Sequence, residues 1–150
     1  TPDVEKLRKI FRLPGMKILQ FAFDGNEDNP YLPENIEGNN WVVYTGTHDN
    51  STSFSWWESL DLNLKKKINE DYNFSKNTFW NLMEMGMNTK ANLFIAPLQD
   101  ILSLDNSCRL NTPGTIGINW KWKLNIPLEE IESNLRKFSE IGANYGRSEK

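Results

Sequence analysis

Cysteine is almost missing from this sequence: Cys108 is the single one in 150 residues, which excludes a disulfide framework within the chain. Histidine is as scarce, with His48 alone, and no further ligands stand at the spacing a metal site needs. An excess of positive charge is also lacking. Seventeen Lys and Arg are set against twenty Asp and Glu, for a net charge of −3, and the two signs are interspersed, so no basic stripe is available to neutralise a nucleic-acid backbone or an anionic membrane surface. No apolar run approaches the ~20 residues of a membrane span. The chain opens on Thr1-Pro2-Asp3 and not on the basic-then-apolar pattern of a secretion signal. These absences lead us to expect a cytoplasmic setting, with neither nucleic acid nor membrane as a partner. There is no glycine-rich phosphate loop, no paired cysteines and no nucleophilic-serine motif, so nucleotide, redox and esterase chemistry have nothing to rest on.

What is present alternates between two periodicities. Thr1 and Pro2 stand as cap and first helical residue before Val4, Leu7, Ile10 and Phe11 at helical spacing, a pattern that Leu13-Pro14-Gly15 stops. Met16 to Phe23 is mostly apolar without clean alternation, which predicts a strand buried on both faces, as in a parallel sheet. A turn-rich loop follows from Asp24 to about Asn40. Trp41-Val42-Val43-Tyr44 predicts a second strand, and Asn92 to Ala96 a third buried one, broken by Pro97. Between them lie a helical pattern around Leu64 and Ile68 and another from Ser75 through Phe79, Leu82, Met83 and Met87. Leu98, Ile101 and Leu102 begin a further helix. A connection rich in Asn, Gly and Trp runs from Asp105 to Asn125, and Pro127 opens a last helix with Ile131, Leu135 and Phe138 on one face. The tail past Gly142 is polar and expected to fray.

Buried strands alternating with helices imply an α/β fold whose strand ends share one rim, placing Asp24, Asp49 and Pro97 near one another. Three strands do not close a barrel, and an open sheet of three leaves two unprotected edges. The pattern is that of the last part of something larger.

Three stretches could carry chemistry. In Tyr44-Thr45-Gly46-Thr47-His48-Asp49-Asn50 a strand delivers an imidazole and a carboxylate side by side to the rim. Asp49 reads equally well as the N-cap of a helix holding Phe54, Trp56 and Trp57, and a lone histidine is more often a hydrogen-bonded structural residue than a catalyst. Arg109 to Trp122 alternates amides and indoles with flexible backbone, a mix that suits sugars, whose hydroxyls pair with amides and whose C–H faces stack on rings. Against that, core packing is the commoner use of large aromatics in a small domain, and we assign it to Trp41, Trp80, Trp120 and Trp122. Phe23-Asp24-Gly25 with Asn29-Pro30-Tyr31-Leu32-Pro33 places an aromatic and a carboxylate at a strand end.

Taken together, Leu13 to Phe23, Asn29 to Pro33, Tyr44 to Asn50, Ala96-Pro97-Leu98-Gln99-Asp100, Asn111-Thr112-Pro113-Gly114 and Asn119-Trp120 resemble, in collinear order, the 4-α-glucanotransferases of glycoside hydrolase family 77. The resemblance implies that residues 1–150 form the C-terminal segment of a (β/α)₈ catalytic barrel, about three βα units plus C-terminal helices. It implies retaining transfer of α-1,4-glucan segments between malto-oligosaccharides through a covalent glycosyl-enzyme. By the match, Asp49 stabilises the transition state, His48 binds the donor glucose, and Phe23, Asp24 and Asn111 contact substrate. No cofactor is implied. The family's nucleophile and acid/base match positions before Thr1, so the resemblance further implies a need for the N-terminal barrel segment and no activity from this segment by itself. The alternative is an inactive remnant that binds malto-oligosaccharide weakly or serves only as a structural module.

Overall fold

The computed structural model describes residues 1–74 and 78–147. Its centre is a three-stranded parallel sheet in the order β1 (Gly15–Ile18), β2 (Trp41–Tyr44), β3 (Leu93–Ile95), with Gly15 opposite Trp41 and Tyr44 opposite Ile95. Around it lie α1 (Pro2–Ile10), α2 (Ser53–Ser59), α3 (Leu62–Tyr72), α4 (Thr78–Met87), α5 (Leu98–Ile101) and α6 (Leu128–Asn144). The architecture is α/β, as the alternation predicts. Among the described residues no helix is long and apolar enough to cross a membrane.

Local chemistry accounts for most helix limits. Pro2 opens α1, with Asp3 and Glu5 in its first turn and Arg8 and Lys9 in its last, each complementing the helix dipole. Asp61 caps α3 by accepting from the Asn63 and Leu64 N–H groups, and Asn73 ends it in the left-handed conformation at φ 50°. Thr52, not Asp49, caps α2, its hydroxyl accepting from the Ser55 N–H; the capping role considered for Asp49 is thereby removed. Ser75, where the sequence pattern of α4 begins, lies outside the described residues.

The two faces of the sheet differ. Because paired residues in a parallel ladder share a face and alternate along each strand, Val43 and Phe94 point one way and Met16, Tyr44, Leu93 and Ile95 the other. The first face is covered: Val43 is fully buried with Ile68 of α3 and Leu82 of α4, and Phe94 packs against both hydrophobic clusters. Gly86 lets α4 approach closely, since a Cβ there would fall 2.1 Å from the Phe94 ring. The second face is open, with Met16 55%, Leu93 49% and Ile95 37% exposed. The expected burial of β3 on both faces is therefore corrected, because among the described residues no element covers its outer side.

Two further expectations are revised. The strand predicted for Met16–Phe23 stops at Ile18 and continues as a tight turn over Leu19–Phe21, in which the Gln20 N–H donates to the Thr45 carbonyl beyond the end of β2. The tail past Gly142 is not frayed over its described part: α6 continues to Asn144, and Arg147 donates to the carbonyls of Met87, Thr89 and Ala91, satisfying backbone at the end of α4. The apolar stripe of α1 meets no core, for Val4, Leu7, Ile10 and Phe11 are all more than half exposed. The helix is instead held by Arg8, whose guanidinium lies 4.3 Å above the Trp41 ring and donates to the Leu13 carbonyl.

Candidate active site

Beyond β2 the chain makes a compact polar turn. The Thr47 N–H and hydroxyl both donate to Asn50 Oδ1, at 2.9 and 2.7 Å, and the Asn50 N–H returns to the Thr47 carbonyl at 3.0 Å. This local pairing of Thr and Asn side chains with backbone leaves His48 and Asp49 at the tip, each side chain half exposed. Gly46 permits the turn to lie against Gln20: a Cβ would come within 2.6 Å of Gln20 Nε2, which donates to the Ser51 carbonyl. Behind the turn, Asn106 accepts from the Thr52 N–H and donates to the Ser51 hydroxyl.

The long connection after α5 closes over this tip. Asn111 Nδ2 donates to Asp49 Oδ1 at 2.5 Å, and the Asn111 N–H donates to the His48 carbonyl at 3.2 Å. Arg109 joins the two strands of the contact by donating from Nη2 to the Asp49 carbonyl and from Nε to the Asn111 carbonyl. His48 Nε2 lies 3.3 Å from Asp49 Oδ1. The Trp120 ring sits 5.0 Å from the His48 imidazole, tilted by 42°, on a residue whose φ of 61° is left-handed. Asn119 braces the segment by accepting from the Thr112 N–H and donating to the Thr115 carbonyl. Asp49 Oδ1 thus has two neighbours, while Oδ2 has no hydrogen-bond partner among the described residues.

A cavity of about 600 Å³ opens here, lined among others by His48, Asp49, Tyr44, Pro97, Arg109 and Trp122. It joins the strand-end rim to the open face of the sheet through Met16 and Ile95. Its second lining carboxylate, Asp100, is only 2% exposed and accepts three hydrogen bonds. Burial pushes the Asp100 carboxyl above its ordinary pKa, against the lowering effect of its Ser53 and Thr45 donors. Among the described residues no group of three or more His, Cys, Asp or Glu could hold a metal ion.

The structure brings Asp49, His48 and Asn111 together and places Pro97 in the same cavity. It does not bring Phe23 or Asp24 there. Phe23 is buried among Trp56, Tyr72 and Phe74. Asp24 is exposed in the following turn, where the Asn26 N–H and then the Asn29 side chain hold its carboxyl below the usual value. The core assignment of the tryptophans holds for Trp80, 6% exposed, and fails for Trp120, 62% exposed over His48. Trp122 is half-buried and lines the cavity, and Trp41 is half-buried against Arg8 and Lys17. Arg109 and Asp100 went unassigned in the sequence. The first stands at the head of the amide- and indole-rich run; the second follows Pro97 with no local pattern to reveal its burial.

Chemically, one accessible carboxylate beside an imidazole and an open indole can stabilise positive charge on a bound sugar ring and offer it polar and stacking contacts. It cannot by itself both attack and protonate a glycosidic bond.

Comparison with known proteins agrees with this arrangement. A sequence model of the 4-alpha-glucanotransferase family, glycoside hydrolase family 77, matches residues 1–129. The 4-alpha-glucanotransferase of Synechocystis is 44% identical over 128 residues, 82% of this chain and 25% of that protein. That of Thermus thermophilus is 42% identical over 132 residues, 83% of this chain and 26% of that protein. The chloroplastic/amyloplastic enzyme of Arabidopsis thaliana is 40% identical over 151 residues, 98% of this chain and 26% of that protein. Amylomaltase from Streptococcus agalactiae, solved in complex with acarbose, superposes with a TM-score of 0.91 at 28% identity, covering 99% of this chain and 30% of that one. The chain thus spans about a quarter of the length of the curated relatives it matches. On the strength of that match, reaching from α1 into the start of α6, the chain belongs to the 4-α-glucanotransferase family, glycoside hydrolase family 77.

Proposed function

We propose that this chain forms about three βα units of a (β/α)₈ barrel that transfers α-1,4-glucan segments between malto-oligosaccharides with retention, and that Asp49 is its transition-state-stabilising carboxylate. The observation that carries the reading is the state of Asp49: one oxygen is held by Asn111, the other has no partner among the described residues, and both stand at the C-terminal rim of a parallel sheet, where barrel enzymes build their sites. The open sheet face supports the barrel. In a closed barrel that face, with Met16, Tyr44, Leu93 and Ile95, becomes the packed interior.

An oxocarbenium-like sugar carries positive charge that a fixed carboxylate stabilises more in the transition state than in the ground state, which is the condition for raising the rate. His48 and Trp120 offer the donor glucose a hydrogen-bonding edge and a stacking face, and Asn111 both orients Asp49 and borders the sugar. Asp24, exposed beyond β1, is assigned to a more distant sugar of the bound glucan, and Phe23, buried among Trp56, Tyr72 and Phe74, to supporting the segment that carries it. Retaining chemistry requires a nucleophile and an acid/base about 5–5.5 Å apart. Of the two carboxylates that line the cavity, Asp100 is buried and already bonded to Thr45 and Ser53, so both groups are assigned to other strands of the barrel, and the 150-residue chain alone turns over no glucan.

Mixing the chain with a polypeptide that supplies the remaining barrel strands, and following glucose release from maltotriose, tests this reading. Transfer should appear in the mixture and with neither part alone. A soluble, associated mixture without transfer would favour a remnant that binds glucan without processing it.

A further inference from the structure

Thr45 follows the last residue of β2 and Ser53 is the first of α2, so these two residues are the anchors of the loop that presents His48 and Asp49. Both reach the same side chain. The Thr45 hydroxyl donates to Asp100 Oδ2 at 2.5 Å, the Ser53 hydroxyl to the same oxygen at 2.8 Å, and the Ser53 N–H to Oδ1 at 2.7 Å. All three residues are 2% exposed or less. Asp100 comes from α5, the short helix after β3, so the contact ties two neighbouring strand ends together below the rim.

We propose that Asp100 is a positioning residue for Asp49, fixing both ends of the loop that carries it and so setting where the Asp49 carboxylate stands under the sugar. The inference rests on the assignment of Asp49 made above and goes beyond it by naming the group that sets its geometry. Stability alone gives a weak reason for a carboxylate at this site. Removing a charge from water is costly, and none of the three groups that Asp100 binds carries a charge to offset that cost. What the carboxylate supplies is directional: three acceptor bonds to two points of the chain eight positions apart. The backbone bond to Ser53 fixes the first turn of α2, and the Thr45 bond fixes the exit of β2, so both ends of the intervening turn are held in place. Such rigid support of a site from behind is what holds a reacting group within a fraction of an ångström of its working place.

His48 is the single histidine of the chain, so ¹³C-histidine labelling of this chain gives one imidazole signal even after assembly with unlabelled partner strands. The Trp120 ring, 5.0 Å away, should impose a ring-current shift on the His48 protons. In Asp100→Ala, folded and assembled, that signal should move toward the position of a free imidazole, and kcat for glucan transfer should fall about 10²-fold with KM changed little, because the displaced group acts in the transition state. Asp100→Asn should rescue both readouts: its Oδ1 still accepts from the Ser53 N–H and its Nδ2 donates to the two hydroxyls, which rotate to accept. A purely structural role predicts a lower melting temperature with the His48 signal in place. If Asp100→Ala does not fold, Thr45→Val, which cuts only the β2 end, should displace the His48 signal in the same direction. An unmoved His48 signal in the folded Ala variant, or in Thr45→Val where Ala does not fold, overturns the proposal. Absence of transfer in the unsubstituted assembly would contradict the functional reading and leave the His48 readout to decide the positioning role by itself.

Discussion

Asn111 donates its side-chain amide to Asp49 Oδ1 at 2.5 Å across a separation of 62 residues. The bond joins the strand-end turn to the long connection after α5, and Arg109 fastens the same pair of segments through their carbonyls. An amide donor fixes one carboxylate oxygen and carries no charge of its own, so the Asp49 charge stays available to a developing cation. A lysine in its place would neutralise that charge.

Removing this amide should therefore lower turnover without unfolding the protein. A hydrogen bond to a charged group contributes about 1.5–3 kcal/mol, and half exposure of Asp49 reduces that through solvent screening. In the assembled enzyme Asn111→Ala should lower kcat by about tenfold, and Asn111→Asp by more, since it sets a second negative charge against Asp49. A kcat equal to the parent's in both variants would show that the contact does not orient Asp49.

The tryptophans separate binding from stability. Trp80 is buried against Met83, Met87 and Ile101, and its truncation to Ala should cost about 3–5 kcal/mol in chemical denaturation. Trp120 is mostly exposed, and its truncation should change stability by no more than about 0.5 kcal/mol while weakening malto-oligosaccharide binding to the assembled barrel by about threefold to tenfold, the worth of one aromatic stacking contact. Equal losses of stability from the two substitutions would contradict the placement of Trp120.

These two residues also show where the sequence was readable. Trp41–Tyr44 is the strand that its β-type run predicts, and Pro2 opens its helix, because β-type runs and helix-start chemistry act over a few residues. His48, Asp49 and Asn111 were legible as candidates from residue type and motif. Their mutual geometry was not, since it depends on a contact spanning 62 residues. The core assignment of Trp120 fails for a related reason: it sits exposed over His48 in an irregular segment with a left-handed backbone, where no hydrophobic periodicity reports on burial. The exposed stripe of α1 followed the helical pattern faithfully, yet the pattern says only that a partner surface is wanted, not where it lies.

Acidification should stabilise the protein through Asp100. Burial raises its carboxyl above the ordinary value of 3.8, and its partners, two hydroxyls and an N–H, are neutral. The folded state therefore holds the proton more tightly than the unfolded state. The contribution is complete below pH 3.8 and is lost as pH rises through the folded-state pKa. Asp100→Asn, which cannot ionise, should lack this dependence and be at least as stable as the parent at pH 7. Urea denaturation of both proteins at pH 4 and pH 7 measures it, and equally steep loss in the variant would locate the pH dependence elsewhere.

The open sheet face and the bare stripe of α1 should make the chain self-associate when alone. Leu93 and Ile95 on the edge strand, Met16 beside them and Val4, Leu7 and Ile10 on α1 present apolar surface and unpaired backbone together. Sedimentation velocity should show oligomers of the isolated chain that disappear on adding the complementary barrel strands. A monodisperse monomer at tens of micromolar would show that the face is satisfied as it stands.

The central assignment is tested most directly by substituting Asp49 in the assembled barrel and measuring glucose release from maltotriose. Asp49→Asn keeps the shape and the Asn111 contact while removing the charge, and should lower kcat by at least about 10²-fold with KM changed little. A variant that transfers glucan within twofold of the parent's rate would contradict the role of Asp49 as the carboxylate that stabilises the transition state.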